Sequence, residues 1–232
     1  MIGLRTEPGA IPTDRRPLRA RDAGFWIPTA YCLVQRGITP NAVSLIGLAA
    51  GIMAGLLLAS TSFFEPGIHQ RMIWLLAVAA VLLRGACNIL DGVMAVETGM
   101  STPVGLLWNE VPDRISDGAA LIGAGYACGG VPVLGWGAAL VAVLVSYIRV
   151  QCRVAGLPMD YSGPMAKPMR MLVLCGAAIW TAVLPQSCYP RWGPTGEWGV
   201  MVPALMLIIA GGVLTVIRRT YRAVNILQHG ES

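Results

Sequence analysis

A chain of 232 residues that is 55% hydrophobic and only 12% charged lies far from the roughly 25% charged content of a soluble domain, which excludes an ordinary water-soluble globule. The net charge of +5 does not point to nucleic acid, because the basic residues bracket apolar stretches instead of forming a patch. The composition is that of a multi-pass membrane protein, and it leaves no room for a separate soluble domain.

Residues 1–40 mix Arg, Pro and Asp with Phe25, Trp26, Ile27, Tyr31, Leu33 and Val34, the blend of a short helix lying in the headgroup layer. They lack a short apolar run with a cleavage site and so do not read as a signal peptide. Six apolar spans are then expected at about 42–62, 72–95, 104–126, 131–152, 170–186 and 199–218. This gives an all-α membrane domain over 41–222, with a tail at 223–232. In the first span Gly47, Gly51 and Gly55 recur every four residues, so one helix face can admit another backbone closely. Pro203 falls inside the last span, where a membrane helix can accommodate it.

Arg5, Arg15, Arg16, Arg19, Arg21 and Arg36 precede the first span; Arg149, Arg153, Lys167 and Arg170 surround the fourth connection; Arg218, Arg219 and Arg222 end the last. With six spans all of these share one side, which the positive-inside rule makes cytoplasmic, and both chain termini are expected on that same side. Only Arg71 and Arg191 fall in the opposite loops. Cys32, Cys87, Cys128, Cys152, Cys175 and Cys188 show no C-x-x-C or zinc-like spacing and read as small core residues.

The informative stretch runs from Arg84 to Asp117, where apolar helix is interrupted by Arg84, Asn88, Asp91, Asn109, Glu110, Asp113, Arg114 and Asp117. Each ionised group at a helix centre costs roughly 2.5–3.5 kcal/mol, so the accumulation needs partners. Arg84, Asn88 and Asp91 stand at i, i+4 and i+7, and Asn109, Asp113 and Asp117 repeat every four residues; each set therefore forms one helix stripe. Facing carboxylates repel unless a cation lies between them, and hard oxygens suit Mg²⁺, Mn²⁺ or Ca²⁺. The residues alone leave two other readings open. The acids can pair with Arg84 and Arg114 as buried, register-fixing ion pairs, or they can mark the ion path of a small transporter.

The stretch Asn88-Ile-Leu-Asp91-Gly92-Val-Met-Ala95, followed by Gly105-Leu-Leu-Trp-Asn109-Glu-Val-Pro-Asp113, resembles the signature D-x2-D-G-x2-A-R-x8-G-x3-D-x3-D of the CDP-alcohol phosphotransferases. Every spacing is kept. Asp91, Gly92, Ala95, Gly105 and Asp113 match, whereas Asn88 and Asn109 replace two aspartates and Val96 replaces the arginine. Ile38-Thr39-Pro40-Asn41-Ala42-Val43-Ser44 and Ser146-Tyr147-Ile148-Arg149 resemble two further family segments. Asp113-Arg114-Ile-Ser-Asp117-Gly118 looks more like the phosphatidylinositol phosphate synthase branch than the glycerophosphate branch.

The resemblance implies a six-helix, dimeric membrane enzyme of phospholipid biosynthesis. Such an enzyme moves a substituted phosphate from a CDP-linked donor, such as CDP-diacylglycerol, to an alcohol or polyol-phosphate acceptor and releases CMP. Carried over by position, Asn88, Asp91, Asn109 and Asp113 are the ligands of one or two Mg²⁺ or Mn²⁺ ions, and Asp113 is the general base. Gly92, Ala95 and Gly105 adjoin the CDP donor, with Arg84 or Lys167 compensating for Val96, and Arg149, Arg153, Lys167 and Arg170 hold the acceptor phosphate. The two asparagines remove two negative charges, which lowers metal affinity; a catalytically impaired, nucleotide-lipid-binding member of the same fold is the alternative.

Overall fold

In the computed structural model, residues 24–97, 99, 103–185, 192, 193 and 196–229 are described. Among them the chain is all-helical, with seven α-helices: α1 (Trp26–Gln35), α2 (Pro40–Ser60), α3 (Ile68–Glu97), α4 (Pro103–Tyr126), α5 (Pro132–Val154), α6 (Lys167–Val183) and α7 (Met201–His229). The Arg-rich stretch before residue 24, together with Cys188 and Arg191, lies outside the described residues.

Four helical segments are long and apolar enough to cross a bilayer: Pro40–Phe63, Ile68–Glu97, Pro132–Val154 and Met201–Gln228. The six expected spans each fall on a helix, but two helices differ in character. α4 carries Glu110, Asp113, Arg114 and Asp117 within 24 residues. α6 has only 17 residues, about 25 Å of rise against a hydrocarbon core of ~30 Å. α7 continues to His229, beyond the expected end at 218, because a helix does not stop where its side chains become polar.

The distribution of side-chain size is that of a membrane bundle. The interior is rich in alanine, including Ala54, Ala77, Ala120, Ala124, Ala138 and Ala178, while Leu56, Leu82, Leu140, Leu172 and Leu214 are exposed on the outer faces. Lipid tails are as apolar as leucine, so burying large side chains gains little in a bilayer and close backbone contact gains more.

The helix α2 begins cleanly, with the Thr39 hydroxyl accepting from the Ala42 backbone N–H and Pro40 in the first turn, a pairing suited to a helix start. It packs against both α3 and α4, whereas α3 and α4 touch each other little. Its glycine stripe makes this possible. A Cβ on Gly51 would lie 2.4 Å from the Ser116 side chain, one on Gly55 2.3 Å from the Ala119 carbonyl oxygen, and one on Gly123 2.1 Å from the Gly55 carbonyl oxygen. The close-packing role expected for Gly47, Gly51 and Gly55 is thus what the backbone shows. Pro112 lies inside α4 and removes one helical hydrogen bond between the turns that carry Asn109 and Asp113.

The α5–α6 connection is strapped to the end of α7. Arg219 donates to the Ser162 carbonyl at 2.9 Å and to the Val145 carbonyl at 2.8 Å, and Arg222 donates to the Ser162 hydroxyl at 2.9 Å. The Thr215 hydroxyl accepts from the Met165 backbone N–H at 3.2 Å. Gly163 has a positive φ of 124°, and a Cβ there would meet the Thr215 side chain at 2.4 Å. Burial pushes the Asp160 carboxyl up, but hydrogen bonds from Ser162 and the nearby Arg219 and Arg222 hold it below the usual aspartate value. Its contribution to the strap is therefore present at neutral pH and is lost only as the pH falls through that lowered value.

Gly55→Ala is expected to destabilise the bundle by roughly 1–3 kcal/mol through overpacking. Gly176→Ala, where a Cβ meets nothing within 4 Å, is expected to be neutral or stabilising. Thermal unfolding of the two variants in the same detergent checks the contrast.

Candidate active site

Three helices bring the polar residues together. α3 supplies Arg84, Asn88 and Asp91, α4 supplies Asn109 and Asp113, and α2 supplies Ser44 and Gly47; with Cys87 and Pro112 these line one small, partly open cleft. Because α2 wedges α3 and α4 apart, only side chains cross the gap between the two polar stripes.

Arg84 is 3% exposed and joins the two stripes. Its Nε donates to the Ser116 hydroxyl at 3.0 Å, and its Nη2 lies 3.0 Å from Asp113 Oδ1 and 2.7 Å from Asp117 Oδ1. Asp117 also faces Arg170 at 3.4 Å, and both side chains are almost fully buried. The ion-pair reading thus describes Asp117, whose two oxygens lie against two guanidinium groups. A carboxylate held between two such cations does not suit an ion path.

Asp113 is surrounded by donors. Asn88 Nδ2 gives hydrogen bonds to Oδ1 at 3.0 Å and Oδ2 at 2.8 Å, Arg84 donates to Oδ1, and the Lys167 ammonium donates to Oδ2. Asp91 differs. It is 4% exposed, and its Oδ2 accepts from the Ser44 hydroxyl at 2.6 Å. Its Oδ1 is buried with no hydrogen-bond partner, and no cation is paired with it among the described ion pairs.

A buried, unpartnered carboxylate oxygen costs several kcal/mol unless something compensates it. Its position in a cleft with Asn88, Asn109 and Asp113 makes a hard divalent ion a chemically fitting occupant. Among the described residues no cluster of three or more His, Cys, Asp or Glu side chains is arranged for a metal.

At the rim, Glu110 pairs with Arg149 and, at 3.1 Å, with Arg114, whose guanidinium also reaches the Ser146 hydroxyl. Arg149 lies over the Tyr161 ring, 5.5 Å from its centre, and Arg153 is exposed on the same helix. Gly92, Ala95 and Gly105 are half-buried and lie outside the lining of the cleft.

Several expected placements need correction. Lys167 and Arg170 do not stand free at a mouth for an acceptor phosphate; they point inward onto Asp113 and Asp117. Arg84 lies twelve residues before Val96 on α3, about 18 Å of helix rise, so it enters the cleft from the opposite end of the polar stripe and not from the position of residue 96. The sequence reading also missed Ser44 and Ser116, which orient Asp91 and Arg84. The only trace of them was a hydroxyl in each otherwise small-residue helix face.

Residues 37–219 match the family described as CDP-alcohol phosphatidyltransferase. The chain is 30% identical to a phosphatidylinositol phosphate synthase of Mycobacterium marinum over 195 residues, which span 81% of this chain and 78% of that one. The fold is similar to that of the phosphatidylinositol phosphate synthase of Mycobacterium tuberculosis. The crystal structure of that protein with CDP-DAG bound has a TM-score of 0.65 and 22% identity, with 87% of this chain and 94% of that chain covered. Its complex with manganese and citrate has a TM-score of 0.64 at the same identity, covering 86% and 88%.

Asp117→Asn is expected to cost roughly 3–5 kcal/mol, since it weakens the compensation of two buried guanidinium groups. The loss should appear in the unfolding of the purified protein whether or not substrate is present.

Proposed function

The chain belongs to the CDP-alcohol phosphatidyltransferase family and is a membrane transferase of substituted phosphate groups; on that premise we propose that it moves a phosphatidyl group from CDP-diacylglycerol to a polyol phosphate and releases CMP. The observation that carries the reading is the placement of Asp91 and Asp113 in one cleft, with a bare Asp91 oxygen between the polar stripes. The donor class follows from the CDP-DAG complex of the M. tuberculosis protein. The likeness to the M. marinum phosphatidylinositol phosphate synthase supports the acceptor class.

A divalent cation, Mg²⁺ or Mn²⁺, when bound supplies Lewis-acid neutralisation of the diphosphate and stabilises the leaving oxygen. The residues that would hold it are Asp91, Asn88, Asn109 and Asp113. Asp113 takes the proton of the acceptor hydroxyl as that oxygen attacks the phosphatidyl phosphorus, while the bond to CMP breaks and CMP leaves with the electron pair. Ser44 orients Asp91 for its task. Gly92, Ala95 and Gly105 present little side-chain bulk to the nucleotide beyond the cleft. Arg149 and Arg153 at the rim attract the acceptor phosphate, with Arg149 exchanging its bond to Glu110 for one to the substrate.

The same proposal includes six membrane crossings, with α4 and α6 packed among the four more apolar helices, and α1 lying at the lipid interface. Exposed Phe25, Ile27 and Tyr31 on and beside α1 support the last point. The bundle sits in the cytoplasmic membrane with both chain termini on the cytoplasmic side, in keeping with the basic residues there. The working unit is a homodimer, as the family pattern implies.

Purified protein incubated with Mn²⁺, CDP-diacylglycerol and a panel of alcohols is expected to release CMP. Asp113→Asn should lower the rate by at least ~100-fold, while Glu65→Gln in an exposed loop leaves it unchanged. No CMP from any acceptor, with the donor still bound, would sink catalysis and favour a binding protein. Arg149→Ala should raise KM for inositol phosphate or glycerol phosphate by roughly 10–100-fold and leave kcat/KM for the unphosphorylated polyols unaltered. An equal loss with both acceptor types would remove the phosphate role.

A further inference from the structure

We infer that the active site binds one divalent cation and that the Lys167 ammonium and Arg84 guanidinium occupy the place of a second. The inference deepens the transferase reading and rests on it only for the identity of the cation class.

The argument starts from lone pairs. An ionised carboxylate offers about four acceptor positions on its two oxygens. On Asp113 these are filled, Oδ1 by Arg84 and Asn88 and Oδ2 by Asn88 and Lys167. A metal ion at Asp113 has to displace one of these donors. Asp91 has the opposite character, with Oδ2 taken by Ser44 and Oδ1 buried and bare. Asp117 Oδ1 also lacks a hydrogen bond but lies 2.7 Å from the Arg84 guanidinium and outside the cleft lining. Of the described carboxylate oxygens that line the cleft, Asp91 Oδ1 is thus the one with neither a hydrogen bond nor a paired cation, and it lies on α3.

Charge leads to the same count. Asp91, Asp113 and Asp117 bring three negative charges, and Arg84, Lys167 and Arg170 bring three positive charges; the ion pairs link five of these six groups, leaving out Asp91. One divalent ion adds two positive charges, which the two negative charges of a CDP-linked diphosphate cancel. A second ion would add two further positive charges beside a rim that, with Arg114 and Arg149 against Glu110, already carries an excess of one, and in the absence of an acceptor phosphate nothing in the site balances them. Uncompensated charge in such surroundings is strongly disfavoured.

The residue types follow this arrangement. Asn88 points an N–H donor at Asp113, where an aspartate would repel it unless a metal ion lay between the two. The Asn88 amide makes a direct bridge across the gap that α2 opens between α3 and α4, and the Lys167 ammonium joins Asp113 from α6. The two asparagines and Lys167 thus belong to one change: charge removed from the ligands is matched by a cation that the chain itself supplies.

The test counts ions on the full-length protein in detergent or nanodiscs without substrate, with Mn²⁺ alone as the probe. Equilibrium dialysis and electron paramagnetic resonance should give one Mn²⁺ per chain with a mononuclear spectrum, and Asp91→Asn should weaken binding at least 10-fold. The triple variant Asn88→Asp, Asn109→Asp, Lys167→Met should take up two ions with the spin coupling of a close pair. Two ions on the unaltered chain, none, or binding indifferent to Asp91→Asn would each overturn the inference. One bound ion without CMP release would defeat the transferase reading and leave this one standing; CMP release with two bound ions would do the reverse.

Discussion

The guanidinium of Arg84 touches Ser116, Asp113 and Asp117 of α4 from its seat on α3, and the polar interior is organised around it. A buried cation of this kind fixes how two helices stand to one another, because any shift strands charge in an apolar bundle. Asp117 and Arg170 complete the arrangement one turn further along α4 and bring α6 into it. The helices are thus held at a distance by α2 and linked across that distance by side chains. A cleft is what remains between the links.

That division separates two kinds of acid that look alike in the sequence. Asp117 is enclosed by cations and has no free oxygen for chemistry, so its contribution is to the standing of the helices. Asp91 keeps an oxygen without a hydrogen-bond partner. Asp113 lies between these extremes, engaged by the chain's own donors yet lining the cleft. The chemistry proposed for such a carboxylate has to work against the donors around it, Lys167 and Asn88 among them.

The helices were legible because apolar runs of twenty residues bounded by Pro, Gly and charge have few other readings in a chain of this composition. The stripes of Asn88 and Asp91 and of Asn109 and Asp113 followed from helical periodicity, and the structure brings all four to one cleft. What periodicity cannot express is the third helix between them. The inward turn of Lys167 and Arg170 escaped for a related reason: basic residues near a helix end usually belong to the lipid interface, whereas here Asp113 and Asp117 face them across the bundle.

The strap from Arg219 and Arg222 to Ser162 and from Thr215 to Met165 ties the loop that launches α6 to a helix that traverses the lipid. Helices of that length adjust their tilt to the thickness of the surrounding layer. Since Met165 is only two residues before Lys167, the strap sets where the first turn of α6 stands against α7, and with it the point from which the Lys167 side chain reaches Asp113.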